Sequence, residues 1–592
     1  MIDWDGEIAR KETPELQEMY DIDDDTKRII DMAKKIEGCA RHISVHAAGV
    51  VIAPTKLTDF VPLQLDPKDP EKTITQYDMH AVEDAGLLKF DFLGLKNLSI
   101  MASTVKLAKK LYGVEIDIDN VPLDDQKTYD MLARGETVAT FQLNGDGMTR
   151  FLKELKPSVV DDINAMVALY RPGPMAFIPD YIERKHDPSK VVYFDPKLEP
   201  YLNRTYGILI YQDDVLLIAV NLAGYSWGEA DKFRKAIGKK IPEEMAKQKE
   251  KFTKGCIEIG GFSPENTKKL WEMIETFAAY GFNKAHAASY GRVAYLTSYL
   301  KANFPILYMA SVLDADSGDT EKIAEMVAEC KRMGIEVLPP NINESFEGFT
   351  VVKNSEGKEQ IRFGLSTIKN FGEGIAHAII EERESSGKFT SLENFLTRIT
   401  NRNLNKKSLE ALVKSGAMDE LGDRSQMYGN MEGIIAYNKE IGQGPKNQDS
   451  LFGDLLSAPP LRLEECDVIS TTQQLSWEKE LLGLYVSGNP LEQFKEKIEK
   501  NSVKISKIKE NPPKPTVTVT VVGTVEEVKV IKTKKGDDMA FLKLADLNDT
   551  LEGVIFPKLY ASHKQLLSGD AVLVVEGKVS MRNDIPSLII DK

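Results

Sequence analysis

Hydrophobic and polar residues alternate along residues 86–94, which have the sequence GLLKFDFLG. Successive side chains of a β-strand point to opposite faces, so this period of two predicts a strand. Its polar face carries Lys89 and Asp91, about 7 Å apart along the strand, where both can meet one charged ligand such as a metal-bound phosphate. An edge strand whose charges face water is the alternative interpretation. The opposite face, which we expect to pack, consists of Leu88, Phe90 and Phe92.

The residues before this strand predict short helices and further strands. Residues 14–38 have apolar positions at helical spacing, and an acidic run marks the start of a second helix. Residues 41–54 pass from a polar turn into a buried strand, and residues 73–77 predict another. We expect these strands to form a partial sheet with the strand described above. His46, which lies among small residues, is either a ligand contact or a satisfied turn histidine.

After Gly94 the pattern becomes mainly helical up to about residue 340. Residues 341–440 form a different unit, and a proline cluster near residue 512 marks a boundary. The tail then predicts three strands, a helix at 558–567 and two further strands, which is the order of an OB barrel. The five predicted strands cover residues 516–531, 539–545, 552–556, 571–579 and 587–590.

The composition limits the class of protein. The 592 residues include 76 Lys and Arg against 91 Asp and Glu, a net charge of −15. This length allows several domains, and the acidic total argues against a simple basic nucleic-acid binder, so any site for a polyanion must be local. The four cysteines lack the paired spacing of a zinc site or a disulfide framework. The chain has no apolar run of membrane-spanning length, and its acidic start is unlike a signal peptide, so we expect a cytoplasmic protein.

Arg171 ends an apolar helix just before a rigid turn. Pro172 and Pro174 flank a glycine and fix the backbone, so they also fix how far the guanidinium reaches. A planar guanidinium held in this way suits phosphate or carboxylate. An arginine that only interacts with the helix dipole is the alternative.

Residues 231–254 reverse the charge of the chain locally. They contain nine basic and four acidic residues, a net charge of +5. Such a reversal favours contact with a polyanion, although a basic run is also typical of a solvated helix face. The candidate binding residues in this stretch are Arg234, Lys235, Lys239 and Lys240.

Asn283 is a candidate helix cap. It would place Lys284 in a first turn beside free backbone amides, a position that attracts phosphate. His286 and Tyr290 are four residues apart and therefore share a face of that helix. A tightly packed helix start with a surface lysine is the alternative.

Residues 363–379 predict a short helix, a turn at Gly372 and Gly374, and a second helix. In a helix-hairpin-helix such glycines expose backbone amides to a DNA phosphate without sequence preference. Residues 403–419 could be a degenerate second copy. A Gly-x-Gly between helices is also an ordinary C-cap.

A polar segment with Gly and Pro begins at residue 442 and ends in two large apolar residues, Leu451 and Phe452. Together with Gln448 they predict a docking peptide at the end of a flexible segment. A buried anchor that follows a loop is the alternative.

Seven motifs in a fixed order resemble the alpha subunit of the bacterial replicative DNA polymerase III over nearly the whole chain. The helix-hairpin-helix, the Leu451 and Phe452 peptide and the terminal barrel fall where that family has its DNA-binding repeat, sliding-clamp motif and OB domain. The motifs are HAAGVVIAP, GLLKFDFLGL, FQLNGDGM, LYRPGP, YGILIYQDDV, RKAIGKK and YGFNKAHAASY.

The resemblance implies a multidomain α+β fold with a partial palm sheet, a large helical fingers domain, a helix-hairpin-helix clamp-binding domain and a C-terminal OB β-barrel. The implied domains are a thumb remnant at 1–40, a partial palm at 41–100, fingers at 101–340, a helix-hairpin-helix and clamp-binding region at 341–455, a connector at 456–512 and an OB-fold at 513–592.

The resemblance also implies a DNA-directed DNA polymerase, which transfers nucleotides from deoxynucleoside triphosphates to a primer with two Mg²⁺ ions. Asp91 is then a metal-binding aspartate and Lys89 its neighbour facing the nucleotide. The implied partners are primer-template DNA, the sliding clamp and other replicase subunits. The implied contacts to the triphosphate or nearby DNA are Arg171, Arg234, Lys235, Lys239, Lys240, Asn283, Lys284, His286, Gly372 and Gly374, and those to the clamp are Gln448, Leu451 and Phe452.

One departure from the family pattern limits this prediction. The family's palm also carries Pro-Asp-x-Asp-x-Asp-Phe, which supplies the other two metal ligands, and no such sequence occurs here. We therefore expect a fragment that lacks the N-terminal part and the extreme C-terminal domain, and that is inactive alone. The alternatives are a non-catalytic DNA-binding module tethered to the sliding clamp and a damage-tolerant paralogue of the same family.

Overall fold

The computed structural model describes residues 14–39, 42–239, 242–277, 281–443, 460–533, 536–546, 549–567, 571–582 and 585–592. The chain divides into two compact units between Leu95 and Lys96. The fold is multidomain α+β, as predicted from the sequence.

The first unit contains two helices followed by short strands. Asp23 caps the second helix, because its carboxylate accepts a hydrogen bond of 2.9 Å from the backbone N–H of Thr26. This is the acidic helix start that the sequence predicts. The elements are α1 (Pro14–Ile22), α2 (Asp24–Ile36), β1 (Gly49–Ile52), β2 (Leu63–Asp66), β3 (Asp69–Thr75), α3 (Met79–Asp84) and β4 (Leu88–Asp91).

The described strands of the first unit form two separate antiparallel ladders. β1 pairs with β4, which puts Gly49 opposite Asp91 and Val51 opposite Lys89. β3 pairs with β2 instead of joining them. The prediction that residues 73–77 share a sheet with the strand of Asp91 is therefore wrong, because β3 forms a two-stranded hairpin with its neighbour in sequence, β2.

The apolar face of β4 is exposed, so the prediction that it packs is wrong. Leu88, Phe90 and Phe92 are 62%, 45% and 66% exposed. The small core of this unit contains Leu87 and includes Val51, which lies opposite Lys89, so it covers the other face of the ladder. For the same reason β1 is only half-buried rather than buried as predicted.

The second unit begins with a long helical region, as predicted. Its helices are α4 (Lys96–Tyr112), α5 (Gln126–Ala133), α6 (Asp146–Leu155), α7 (Val160–Leu169), α8 (Ile178–His186), α9 (Glu199–Leu202), α10 (Gln212–Ala223), α11 (Trp227–Lys239), α12 (Pro242–Glu258), α13 (Pro264–Phe277), α14 (Lys284–Asn303), α15 (Pro305–Ala315) and α16 (Thr320–Arg332).

Two cores organise these helices. α14 packs against α7 and α5 in the larger core, which continues into the following domain. A second core is formed by the four helices α10, α11, α12 and α13 around a group of aromatic residues. The ring centroids of Phe233 and Phe252 each lie within 6.0 Å of the Trp271 centroid. The basic helix α11 therefore lies on a rigid base.

Paired helices and a small sheet follow. Gly372 is the N-cap of α17, and Gly374 lies in its first turn. The short helix predicted before these glycines is only a single 3-10 turn, Leu365–Thr367, and the glycines begin a helix rather than end one. The elements are β5 (Val337–Leu338), β6 (Thr350–Lys353), β7 (Glu359–Arg362), α17 (Glu373–Ser386), α18 (Leu392–Arg398), α19 (Lys406–Lys414), α20 (Arg424–Gly429), α21 (Met431–Gln443) and α22 (Thr471–Leu482).

The C-terminal domain is a closed five-stranded barrel, which confirms the predicted OB-fold. Its strand order is β10-β12-β11-β8-β9, with β10 and β12 parallel and the other pairs antiparallel. The elements are α23 (Lys495–Asn501), α24 (Ile505–Glu510), β8 (Thr518–Lys532), β9 (Asp538–Ala545), β10 (Thr550–Ile555), α25 (Pro557–His563), β11 (Val572–Arg582) and β12 (Ile585–Ile590). Among the described residues, none of the helices is both long and apolar enough to cross a bilayer.

Candidate active site

Lys89 and Asp91 project from the same face of β4 and contact each other. Lys89 Nζ donates a hydrogen bond of 2.6 Å to Asp91 Oδ1. The Lys89 side chain is only 14% exposed, whereas that of Asp91 is 52% exposed. The hydrogen bond from Lys89 holds the pKa of the Asp91 carboxyl below its usual range. Asp91 is therefore an ionised, solvent-facing carboxylate whose position is held by an ammonium group.

His46 lies three residues before β1, the strand that pairs with the strand of Asp91. Its Nδ1 accepts the backbone N–H of Ala48 at 3.2 Å and lies 3.8 Å from Asp91 Oδ1. A side-chain carbon added at Gly49 would lie 3.2 Å from the His46 ring, so the glycine allows this close approach. Because Nδ1 accepts a hydrogen bond, the neutral ring carries its proton on Nε2.

Arg171 is held at the end of α7. Its Nε donates a hydrogen bond of 3.0 Å to the carbonyl of Ala168, and its guanidinium lies 4.1 Å from the ring centroid of Phe282. Burial lowers the pKa of the guanidinium from its ordinary value. The Ala168 contact fits the interpretation as a helix-end arginine, and the stacking on Phe282 adds a contact to a distant part of the chain.

A cavity of about 320 Å³ opens beside Arg171. Its walls are mostly apolar, and Arg184, Asp180 and Glu272 add charges of both signs. Arg184 is itself held by a hydrogen bond of 3.1 Å to the carbonyl of Tyr206. Arg171 therefore borders a pocket rather than an open surface.

Asn283 caps α14 as predicted. Its Oδ1 accepts the backbone N–H of His286 at 2.8 Å. The backbone N–H of Lys284 is used by Asp213 at 2.8 Å. Two of the first-turn amides that would attract phosphate are thus already bonded within the chain.

The side chains of this first turn form an aromatic row. The His286 ring stacks on Tyr290 at 4.2 Å and meets Phe282 edge-on at 5.2 Å. The guanidinium of Arg171 also packs on the Phe282 ring, so this ring is where the motifs LYRPGP and YGFNKAHAASY contact each other. The structure thus brings Arg171, Asn283, Lys284 and His286 together.

Lys284 is paired with a buried acid. Its Nζ lies 2.9 Å from Asp214 Oδ1 and 5.2 Å from the centroid of the Tyr211 ring. Asp214 is 1% exposed, whereas the Lys284 side chain is 40% exposed. The sequence singled out the motif YGILIYQDDV without giving Asp213, Asp214 or Tyr211 a role. The adjacent acids at a helix start were the signal that could have found them.

The basic cluster is partly neutralised. Arg234 and Lys235 on α11 both pair with Asp231, at 2.8 Å and 2.9 Å. Lys239 ends α11, and Lys240 lies outside the described residues. The paired cations remain on the helix surface, where a polyanion of higher charge could compete with Asp231.

Gly372 and Gly374 lie at the helix start of α17, next to the second helical pair. A side-chain carbon added at Gly374 would lie 3.3 Å from Asn403 Nδ2, whereas one at Gly372 would meet no atom within 4 Å. The backbone at Gly372 is therefore open to approach, as contact with a phosphate requires. The predicted clamp residues Gln448, Leu451 and Phe452 lie outside the described residues.

A basic helix on a helical base, a paired-helix module and a closed OB barrel are together typical of a multidomain nucleic-acid-binding protein. Family models match four stretches: the bacterial DNA polymerase III alpha NTPase domain over residues 2–94, the bacterial DNA polymerase III alpha subunit finger domain over 97–260, a helix-hairpin-helix motif over 334–427 and an OB-fold nucleic acid binding domain over 519–592.

Curated relatives match almost the whole chain. DNA polymerase III subunit alpha of Thermus aquaticus is 42% identical over 582 residues, which are 97% of this chain and 47% of the relative. That of Escherichia coli K12 is 40% identical over 584 residues, 96% of this chain and 50% of the relative. That of Staphylococcus aureus MRSA252 is 39% identical over 588 residues, which are 98% of this chain and 53% of the relative. The chain belongs to the bacterial DNA polymerase III alpha subunit family, and it spans about half the length of these relatives.

Proposed function

We propose that this chain is the nucleotide-binding and DNA-binding part of a bacterial replicative DNA polymerase in the cytoplasm, which adds deoxynucleotides to a primer 3′ end. The observation that carries the proposal is that Arg171 packs on the ring of Phe282 and Lys284 on the ring of Tyr211, two residues that form a β-bridge with each other. Arg171 borders the cavity described above, and Lys284 lines a separate one of about 150 Å³. Two cations held in fixed positions suit a triphosphate.

Asp91 is the carboxylate that we assign to a divalent metal ion. Lys89 keeps it ionised and limits its movement. Among the residues that the structure describes, no three His, Cys, Asp or Glu side chains are arranged to hold a metal. Asp91 therefore fits as one ligand, and the other ligands of the two Mg²⁺ ions must come from another acidic segment. When bound, such ions would lower the pKa of the primer 3′-hydroxyl and stabilise charge at the α-phosphate.

The triphosphate would contact the groups gathered around Phe282. Arg171 offers a guanidinium whose position is fixed by Ala168 and Phe282, and Lys284 offers ammonium donors beyond the one that Asp214 accepts. His286 is kept in place by its stacking on Tyr290. The further contacts that we propose are Asn283, Arg234, Lys235, Lys239 and Lys240.

Primer-template DNA would contact the open backbone at Gly372 and Gly374, and the barrel would bind the single-stranded template. The sliding clamp would bind Gln448, Leu451 and Phe452, which would keep the enzyme on DNA. Other replicase subunits would join the complete assembly. We also propose the domain boundaries at residues 40, 100, 340, 455 and 512.

A second candidate is a non-catalytic DNA-binding module tethered to the sliding clamp. The observation that favours it is that Lys89 and His46 are the charged contacts of Asp91, and that the part of the chain the structure describes has no cluster of three metal-ligating side chains. The two candidates differ in one respect, because only the polymerase gains activity when an acidic segment is supplied.

Primer extension with Mg²⁺ tests both candidates. We expect no incorporation by the purified chain alone, since one carboxylate cannot hold two divalent ions. We expect incorporation when the chain is mixed with the N-terminal part of the Thermus aquaticus relative that it does not match. In that mixture Asp91→Ala should abolish incorporation and leave DNA affinity within about twofold. No incorporation in any mixture, with DNA binding intact, would favour the non-catalytic module.

A further inference from the structure

Hydrogen bonds join the start of α10 to the residues at the start of α14. The backbone N–H of Gln212 donates a hydrogen bond of 2.9 Å to the carbonyl of Phe282, and Gln212 Nε2 donates one of 3.2 Å to the carbonyl of Gly281. Asp213 accepts the backbone N–H of Lys284. Side chain and backbone of one short segment thus fix the residues that carry the proposed triphosphate site.

Asp214 differs from its neighbours in this segment because it is fully buried. One of its oxygens contacts Lys284 Nζ, and the other has no hydrogen-bond partner among the described residues. Burial raises the pKa of this carboxyl above its ordinary value. An ionised carboxylate in such a place is costly, and the hydrogen bond and charge of Lys284 offset part of that cost by lowering the pKa.

Lys284 has more hydrogen-bond donors than Asp214 accepts. An ammonium group has three N–H donors, and Asp214 accepts one of them while the Tyr211 ring lies beneath the charge. The side chain is 40% exposed, so its remaining donors face a ligand or solvent. A lysine free at a surface would instead sample many rotamers, which a bound phosphate would have to order.

We propose that Asp214 is a positioning residue that holds the ammonium group of Lys284 in place for a triphosphate. The proposal rests on the proposed function, because it concerns the same site. Asp214 itself lies too deep to touch the ligand, so it acts through Lys284.

A purely structural ion pair is the competing explanation, and the chain offers a matched example. Asp162 is 0% exposed and pairs with Lys185, which is 8% exposed. Ser158 accepts a further donor of Lys185 at 3.0 Å, and Tyr181 donates to Asp162 at 3.2 Å. Both members of that pair are nearly buried, and two of the three ammonium donors of Lys185 are bonded within the chain, so the pair serves as the control.

The test is calorimetric titration of the 592-residue chain with inorganic tripolyphosphate and with dATP, both with Mg²⁺. We expect Lys284→Met to weaken tripolyphosphate binding about tenfold and Asp214→Asn about fivefold, since an unanchored lysine must be ordered by the ligand. The double variant should bind within about twofold of Lys284→Met, because Asp214 acts only through that lysine. Asp162→Asn should bind within about twofold of the unmodified chain.

Three results would overturn the proposal. The first is that Asp214→Asn binds tripolyphosphate within about twofold of the unmodified chain while Lys284→Met binds more weakly. The second is that the losses of affinity in the two single variants multiply in the double variant. The third is a lack of tripolyphosphate and dATP binding by the unmodified chain, which would remove the nucleotide site itself and thus the proposed function. If circular dichroism shows that Asp214→Asn is unfolded, Asp214→Glu replaces it. This variant keeps the charge but displaces Lys284, so unchanged affinity would count against positioning.

Discussion

Arg171 stacks its guanidinium on the ring of Phe282, with 4.1 Å between the guanidinium carbon and the ring centroid. The two residues lie in different motifs, at the end of α7 and just before α14. The contact makes the reach of Arg171 depend on the same short segment that carries Lys284. A substitution at Phe282 should therefore change the positions of both Arg171 and Lys284.

Phe282→Leu tests this dependence. The substitution keeps an apolar side chain but removes the aromatic face, so we expect the free energy of unfolding to fall by about 1 kcal/mol. We also expect tripolyphosphate binding to weaken about threefold to tenfold, because Arg171 loses its support. Urea unfolding and calorimetric titration measure the two effects.

Phe262 provides the matched control for this experiment. Lys197 lies 4.8 Å from the centroid of its ring, in the second helical core, and neither residue lines the cavity beside Arg171. Phe262→Leu should lower the free energy of unfolding at least as much as Phe282→Leu, since Phe262 is buried. Equal tripolyphosphate affinities for the two variants would show that the stack on Phe282 does not support the site.

The elements of this fold could be predicted because their signals are local. Alternation predicted β4 within three residues of its bounds, the strand order predicted the closed barrel, and an asparagine before small residues predicted the cap of α14. Each of these signals reports on the face or the end of a single element.

The partners of the site residues could not be predicted in the same way. Periodicity shows that Leu88 and Phe90 share a face, but it does not show which face the core covers. Likewise nothing near Lys284 in the sequence indicates that Asp214, which belongs to another helix, lies beneath it. Such contacts depend on how helices pack, which a single sequence does not reveal.

Glu229 gives the chain a defined acid sensitivity. Hydrogen bonds from Lys251 and Ser226 lower the pKa of this carboxyl to about 2. A carboxyl with a lowered folded pKa stabilises the native state fully above its ordinary value of 4.5, and this stability is lost as the pH falls toward 2. We expect Glu229→Gln to reduce the loss of melting temperature between these two pH values. Identical melting profiles for both proteins across this range would contradict the assignment.

Leu451 and Phe452 should matter for the clamp and not for folding. Replacing both by Ala removes the apolar anchors of a docking peptide, so clamp affinity should fall about tenfold or more. The melting temperature should stay within about 1 °C, because a docking peptide does not contribute to the folded core. Surface plasmon resonance with immobilised clamp measures the affinity. Unchanged affinity would mean that these residues are a buried anchor, the alternative that the sequence left open.

The exposed face of β4 should be the surface that the complementing acidic segment covers. Leu88, Phe90 and Phe92 lie on it, and clustered apolar side chains at a surface mark an interaction site. Phe90→Lys should change the free energy of unfolding by less than about 0.5 kcal/mol, because the side chain is already exposed. It should nevertheless lower primer extension in the complementation mixture about tenfold, since a charge cannot be buried there. Leu87→Ala, in the core of the same unit, should instead destabilise the chain by about 2–5 kcal/mol. If Phe90→Lys supports full extension, the acidic segment binds elsewhere and the ladder of β1 and β4 is complete without it.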